Sequence, residues 1–359
     1  MAWLDRGYSR IVAAIPVRDE AARIEPCLIA LSNQIRPPDV VVLMLNNCVD
    51  ETETIARTLI PKLRFHLDVI AQDLPLHQAD AGHARALAMD AAAKRAGASG
   101  VLLTTDADTI VPPDWVTRNL RALHRGADIV CGRAIIDPTE AAMIPAHLHA
   151  DDAMECELIA LLDDLAWILD PEPHDPPPRH TEASGASLAV SVAAFHRAGG
   201  IPPIASGEDR AFVRALWMMD AKVRHDPTIQ VTVSGRIEGR APGGMADAIR
   251  RRIVRQDEFA DEMAEPAMDA WLRYSLRQRA RQAWSGVVDP ALAGDLALPR
   301  ARVTTALAVQ YFGHAWALLE AASPVLQCRR VRFAELPVQI QAARTIRRHL
   351  TVPETLAAE

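Results

Sequence analysis

The feature that most restricts what this chain can become is Val40–Leu45, six consecutive apolar residues with no polar face. A run that short and that uniform is a strand buried on both sides, which places it inside a sheet covered by helices. Ile11–Pro16 has the same character, and between the two Ala21, Ile24, Leu28 and Leu31 recur at helical spacing within Glu20–Gln34. The rhythm continues with a helix over Thr52–Leu63, a strand at Phe65–Ile70, an Ala-rich helix over Gly82–Ala96 and strands at Val101–Thr105 and Ile129–Gly132. Strand and helix in alternation predict an α/β fold with a mostly parallel sheet and right-handed crossovers. Such sheets bind ligands at the carboxyl ends of their strands, here Arg18–Glu20, Asn46–Asp50 and Asp106–Asp108.

Residues 137–180 interrupt the rhythm. Glu140–Leu169 reads as largely helical, and the stretch from Asp170 to His180 has five prolines in eleven residues, which excludes helix and central strand. A strand at Ser187–Val192, a helix from near Glu208 and a strand at Ile229–Val233 follow, and from Gly244 the pattern is helical. The expected division is a catalytic domain over 1–243, with 137–180 inserted, and a helical region over 244–359. The 359 residues carry a net charge of −7, so general affinity for nucleic acid is not expected. Five dispersed cysteines without a CxxC pair imply reduced thiols, and the N-terminus lacks signal-peptide features, so a soluble cytoplasmic protein is expected. The basic run Arg250–Arg252 with Arg255 reads as a solvated helix face, with a membrane-surface contact as the weaker alternative.

Two local signals carry chemistry. Asp106 and Asp108 flank Ala107 directly after a buried strand, so both carboxylates project into the ligand crevice. Like charges there repel, and a hard divalent cation such as Mg²⁺ or Mn²⁺ relieves the repulsion while also holding a diphosphate. Aspartates that cap the following turn would look the same, and the residues alone leave both readings open. Ser206-Gly207-Glu208-Asp209 opens a helix. Taken alone it is better read as a capping box than as a general base at a pocket rim.

Their context shifts both readings. IPVRDEAARI (Ile15–Ile24), NNCVDET (Asn46–Thr52), GHARALAMDAA (Gly82–Ala92), TTDADT (Thr104–Thr109), GASLAV (Gly185–Val190), FHRAGGIPP (Phe195–Pro203) and GEDRAF (Gly207–Phe212) occur in an order and at separations that resemble the family 2 glycosyltransferases over about residues 10–240. The resemblance implies a GT-A-type, Rossmann-like core that uses a nucleotide-diphospho-sugar with Mn²⁺ or Mg²⁺. It places Pro16, Arg18, Glu20 and Asn46 around the nucleobase and ribose, and Arg85 near base or phosphate. Asp106 falls at the ribose or metal and Asp108 on the metal. Gly185 and Ser187 border the donor sugar, Asp209 is the base, and Glu208 places it or binds acceptor. A single displacement with inversion at the anomeric carbon is the favoured outcome.

The chain departs from the family pattern at several points. Leu45, Asn46 and Asn47 stand where many relatives have Asp, and Asp19 replaces a more usual Asn. Asp50 reads as a helix cap with Glu53 in the box position. The resemblance implies a metal-binding histidine late in the core, but directly after the strand at Ile229–Val233 stands Ser234-Gly235-Arg236, and His225 precedes it. Arg236 and Arg240 on the Gly-rich segment suit a diphosphate or an anionic acceptor, or a solvated turn. The Pro-rich loop offers His174, Asp175, Arg179 and His180 as acceptor contacts, or is a surface turn. Two rival functions stand: a nucleotidyltransferase, which would want a Gly- and Lys-bearing loop after the first strand, and a non-catalytic sugar-nucleotide or glycan-binding module. No motif names the sugar, the nucleobase, the acceptor or the oligomeric state.

Overall fold

The computed structural model describes residues 8–237, 239, 244–254, 257–287 and 289–351. The chain forms two compact units: one of residues 1–143, 177–217 and 221–250, the other of 144–176, 218–220 and 251–359. Residues 144–176, expected within the sheet domain, thus group with the C-terminal helices.

The first unit is a seven-stranded sheet of β1 (Ile11–Val17), β2 (Val40–Asn46), β3 (His66–Gln72), β4 (Val101–Thr104), β5 (Ile129–Ile136), β6 (Leu188–Ser191) and β7 (Val223–Val233), in the order β3-β2-β1-β4-β6-β5-β7. Neighbours are parallel except β6, which runs antiparallel to both β4 and β5. Its helices include α1 (Ile24–Ser32), α2 (Thr52–Leu59), α3 (Ala81–Ala96), α4 (Trp115–His124) and α5 (Pro138–Ala141). Strand alternation divides the core in two. Ile11, Ala13, Ile15, Val41, Leu43, Leu45, Val101 and Leu103 pack with Leu28, Leu31, Leu59, Trp115 and Leu120 of α1, α2 and α4 on one face. Val12, Ala14, Val40, Val42, Met44 and Leu102 pack with Met89, Ala92 and Ala96 of α3 on the other. Both faces being covered, β2 is buried along its whole length, which is why its sequence has no polar alternation. This is the α/β architecture expected of a GT-A-type core.

β7 begins six residues earlier than Ile229. Pro227 hides its first half in the sequence, yet proline is tolerated because β7 lies at the sheet edge, and the register against β5 shifts between Cys131 and Arg133 around it.

The second unit is helical, as expected for the C-terminal region. Its core joins Leu158, Leu161, Leu162 and Leu165 of α6 (Ala146–Leu169) to residues of the helices Ala267–Trp284 and Leu336–Thr351. Arg277, itself buried, pairs with Asp170 at 2.6 Å and Glu172 at 2.5 Å. Arg251 and Arg252 pair with Asp257 and Glu155, and in the first unit Arg250 pairs with Asp247; Arg255 lies outside the described residues. Among the described residues no helix is long and apolar enough to cross a membrane.

Candidate active site

The sheet brings distant motifs together because β6 is antiparallel. Thr104, the last residue of β4, is in register with Leu188, the first residue of β6. The segment before β6, Gly185–Ser187, therefore lies beside the segment after β4, Thr105–Asp108. Ser187 is fully buried there and its Oγ accepts from Trp115 Nε1 at 2.9 Å.

Arg85 ties these segments to the helix α7 (Glu208–Trp217), whose motif is Glu208-Asp209. It sits early in α3, whose N-cap Asp80 accepts from His83 N. Arg85 donates from Nε to Glu208 Oε1 at 2.8 Å, from Nη1 to Thr104 Oγ1 at 2.8 Å and Gly185 O at 3.1 Å, and from Nη2 to Asp106 Oδ1 at 2.6 Å. Arg85 and Glu208 are both buried. Burial alone would pull the guanidinium's pKa down, but Asp106 and Glu208 carry it above its ordinary value. A Cβ on Gly185 would stand 2.4 Å from Arg85 Cζ, so any larger residue there must push the guanidinium out of its hydrogen bonds. Asp209 Oδ2 accepts from Gly185 N at 2.7 Å. Gly207, just ahead of the helix, holds φ +75°.

A second cluster surrounds Asp108. Arg236 donates Nη1 to Glu20 Oε2 at 2.9 Å and Nη2 to Glu20 Oε1 at 2.6 Å, and its Nη2 is 3.3 Å from Asp108 Oδ2. The approach follows from the backbone: Ile110 and Thr232 exchange hydrogen bonds of 2.8 and 3.0 Å, which sets the turn after β7 against the loop after β4. Burial, then the Asp106 charge, pushes the Asp108 carboxyl up to about 6 against the pull of Arg236. Cys27 donates to Asp106 O at 3.5 Å, and its thiol is pushed far up by burial and by Asp108, Asp106 and Glu20. Glu140 is a participant the motifs did not reveal. It accepts from Arg23 Nη2 at 2.7 Å, Ser234 Oγ at 3.0 Å and Gly235 N at 2.5 Å. Burial opposes its ionisation, yet these bonds hold its carboxyl below the ordinary range.

At the ends of β1 and β2, Pro16 is in register with Met44, and Arg18 donates to Ala79 O. Asn46 donates Nδ2 to Asp80 O at 3.0 Å while its buried Oδ1 has no partner among the described residues. Asp19 holds φ +50° and accepts from Val49 N at 2.8 Å, so it takes the left-handed turn that Asn would also accept. Asp50 accepts from Thr52 N at 3.0 Å in the turn just before α2, whose N-cap position falls on Glu51 and not on Asp50 as expected, and from Ala21 N at 3.0 Å. Glu53 pairs with Arg57, its neighbour one turn on. Of the Pro-rich loop, His174 and Asp175 belong to the helical unit and Arg179 and His180 to the sheet unit. Asp175 is buried, and the rings of His180 and His225 meet edge to face at 5.5 Å. Arg240 lies outside the described residues.

A family model named glycosyl transferase family 2 matches the chain over residues 12–159. That stretch is similar to the family 2 glycosyl transferases. It runs from within β1 into α6 and contains Arg85, Asp106 and Asp108, whereas Gly185, Glu208 and Arg236 lie beyond it and meet it through the contacts above, and Asp209 joins them through Gly185. The chain is similar to the mannosyltransferase PcManGT from Pyrobaculum calidifontis, solved in complex with GDP-Man and Mn²⁺ (16% identity, 99% of this chain, 82% of that one, TM-score 0.44). It is also similar to TarS 1–349 of S. aureus in complex with UDP-GlcNAc (14% identity, 95% and 89% coverage, TM-score 0.48). No curated protein matches the chain.

The donor set fits a hard cation in part. Asp106 and Asp108 offer carboxylate oxygens, and Asp106 Oδ2 has no donor among the described residues. Among those residues no group of three or more His, Cys, Asp or Glu could hold a metal alone. Two carboxylates, a substrate diphosphate and water would complete the oxygen shell that Mg²⁺ or Mn²⁺ takes.

Proposed function

We propose that this chain transfers a glycosyl group from a nucleotide-diphospho-sugar to an acceptor hydroxyl by a single displacement that inverts the anomeric carbon. The observation that carries the reading is the Arg85 hub, which joins Asp106 of the segment matched by the family model to Gly185 and Glu208 outside it, with Asp209 bonded to the same Gly185. Carboxylates for the leaving group and for the nucleophile thereby meet at one sheet edge, as a displacement requires.

In this reading Pro16, Arg18, Glu20 and Asn46 bind the nucleobase and ribose. Gly185 and Ser187 bring backbone against the donor sugar. Asp209, oriented by Gly185 N, takes the proton from the acceptor hydroxyl as that oxygen attacks, and each of its oxygens retains a second lone pair for the task. Glu208 is the buried partner of Arg85 and fixes the start of α7. Arg236 neutralises diphosphate charge as the donor bond breaks. Asp106 and Asp108 would hold the divalent cation, which when bound stabilises the leaving diphosphate. His174, Asp175, Arg179 and His180 remain the proposed acceptor contacts.

The test is a panel of nucleotide-diphospho-sugars with and without Mn²⁺, scored for ligand-induced thermal stabilisation and for release of nucleoside diphosphate. A donor that stabilises the protein and is slowly hydrolysed supports transfer. Stabilisation without turnover by any donor and acceptor pair would favour a binding module, and pyrophosphate release from a nucleoside triphosphate would favour nucleotidyl transfer.

A further inference from the structure

We infer that Glu140 is a positioning residue for donor binding: it sets the turn Ser234–Arg236 so that the Arg236 guanidinium meets the donor's diphosphate, and it acts on that affinity through Arg236 alone. The inference rests on the reading of Arg236 given above.

Strand register brings Glu140 to this turn. Ile136, the last residue of β5, is in register with Val233, the last residue of β7, and the N–H of Asp137 donates to Val233 O at 2.8 Å. Because the two strands are parallel, the chain leaves both at the same end of the sheet, side by side. Asp137 caps α5 by accepting from Thr139 N at 2.8 Å and Glu140 N at 3.3 Å, which sets Glu140 over the residues that follow β7. A Cβ at Gly235 would stand 2.6 Å from Ile136 Cγ2 and 3.1 Å from Glu140 Cβ, so the turn lies directly against them.

The bonds have a direction. With its carboxyl held below the ordinary range, Glu140 is ionised at neutral pH and can only accept. Ser234 Oγ therefore gives its one proton to Glu140 Oε2 at 3.0 Å, which leaves its lone pairs for the N–H of Arg236 at 3.2 Å. The N–H of Gly235 donates to the same Oε2 at 2.5 Å, and Oε1 accepts from Arg23 Nη2 at 2.7 Å. Arg23 donates its own N–H to Glu20 O at 2.9 Å, and the Glu20 carboxylate receives both Nη atoms of Arg236 at 2.6 and 2.9 Å. The contacts close a ring, so Arg236 is held at its backbone through Ser234 and Glu140 and at its guanidinium by Glu20. A cation ordered in advance loses less freedom when it takes a phosphate. Removing the Glu140 carboxylate releases the turn without touching the guanidinium, and the ligand must then order the arginine itself.

The experiment is a double-mutant cycle read by calorimetry. UDP and GDP are each titrated, in Mn²⁺, into full-length wild type, Glu140→Ala, Arg236→Ala and the double variant, and the nucleotide that wild type binds more tightly carries the comparison. Arg236→Ala should weaken it roughly 10–100-fold, the usual loss on removing a hydrogen bond to a charged group. Glu140→Ala should weaken it about 5–10-fold alone and add no loss in the Arg236→Ala background. Loss of a negative charge beside the pocket would by itself favour an anion, so weaker binding is the signature of lost positioning. Glu140→Gln keeps one oxygen for Ser234 and Gly235 but turns an amide toward Arg23. It should fall between wild type and Glu140→Ala, and it carries the cycle if the alanine variant does not fold. Unchanged or tighter binding by Glu140→Ala, or an equal loss in both backgrounds, overturns the positioning role while the reading of Arg236 stands. An Arg236→Ala variant that binds as wild type does, or a wild type that binds neither nucleotide, overturns that reading and the inference with it.

Discussion

Asp108→Asn should make the metal-free protein more stable at neutral pH while removing its Mn²⁺-dependent affinity for nucleoside diphosphate. Burial and the neighbouring Asp106 charge move the Asp108 carboxyl from an ordinary 3.8 to about 6. The folded protein therefore keeps this proton up to about pH 6, and the unfolded chain only to about 3.8. Between those values the folded state binds more protons, so stability falls as pH rises, and the loss is complete above about pH 7. At 1.36 kcal/mol per pH unit the displacement comes to about 3 kcal/mol. The side chain is only 15% exposed, so solvent screening reduces this little. Asparagine has no charge to bury and escapes the penalty. A domain of about 200 residues gains ~2–4 °C in Tm per kcal/mol, so the variant should melt roughly 6–12 °C higher at pH 7.5 in chelator. The assay is a set of thermal melts of both proteins from pH 4.5 to 8.5, and the advantage should shrink toward zero below pH 5. An equal or lower Tm for the variant at pH 7.5, or an advantage that does not vary with pH, would refute the idea that Asp108 is strained by its site. Stabilisation gained by deleting a functional charge is the expected sign of a site built for ligand rather than for rigidity.

Two further outcomes test the other half of the site. Asp209→Asn keeps an amide oxygen for Gly185 N and should leave Tm and donor affinity nearly unchanged while lowering turnover by roughly 10²–10⁴-fold, measured as nucleoside diphosphate release; a variant that is less stable but fully active would return Asp209 to a capping role. Gly185→Ala forces a methyl to 2.4 Å from the Arg85 guanidinium and should destabilise the protein by about 1–3 kcal/mol, read by urea unfolding; unchanged stability would mean that Arg85 is free to move.

The strands with both faces buried were legible because their sequences have little choice: β1, β2 and β4 are apolar up to their last residues when helices cover each side. The Asp106–Asp108 pair was legible because a strand end fixes where those side chains point. Arg85 was read as a ligand contact, since an arginine near a crevice suggests a phosphate, and nothing local disclosed that four of its hydrogen bonds are made within the protein. Glu140 was invisible for a related reason. Its partners Ser234 and Gly235 lie 94 and 95 residues away, and no spacing rule connects them. The capping signal at Ser206–Asp209 was ambiguous because a helix start wants the same residues whether its acid faces its own backbone or that of Gly185.

The antiparallel course of β6 has an evolutionary reach. Because β5 runs one way and β6 the other, the chain leaves the sheet and re-enters it at the same edge, with Cys131 opposite Leu188. Everything between is an excursion whose length the sheet does not measure, since each doubling of a flexible connection adds only about 0.6 kcal/mol of closure entropy. Descendants of this chain are free to vary the length of that stretch only where it spares Glu140, the packed face of α6 and Gly185, whose contacts belong to the site and to the helical core.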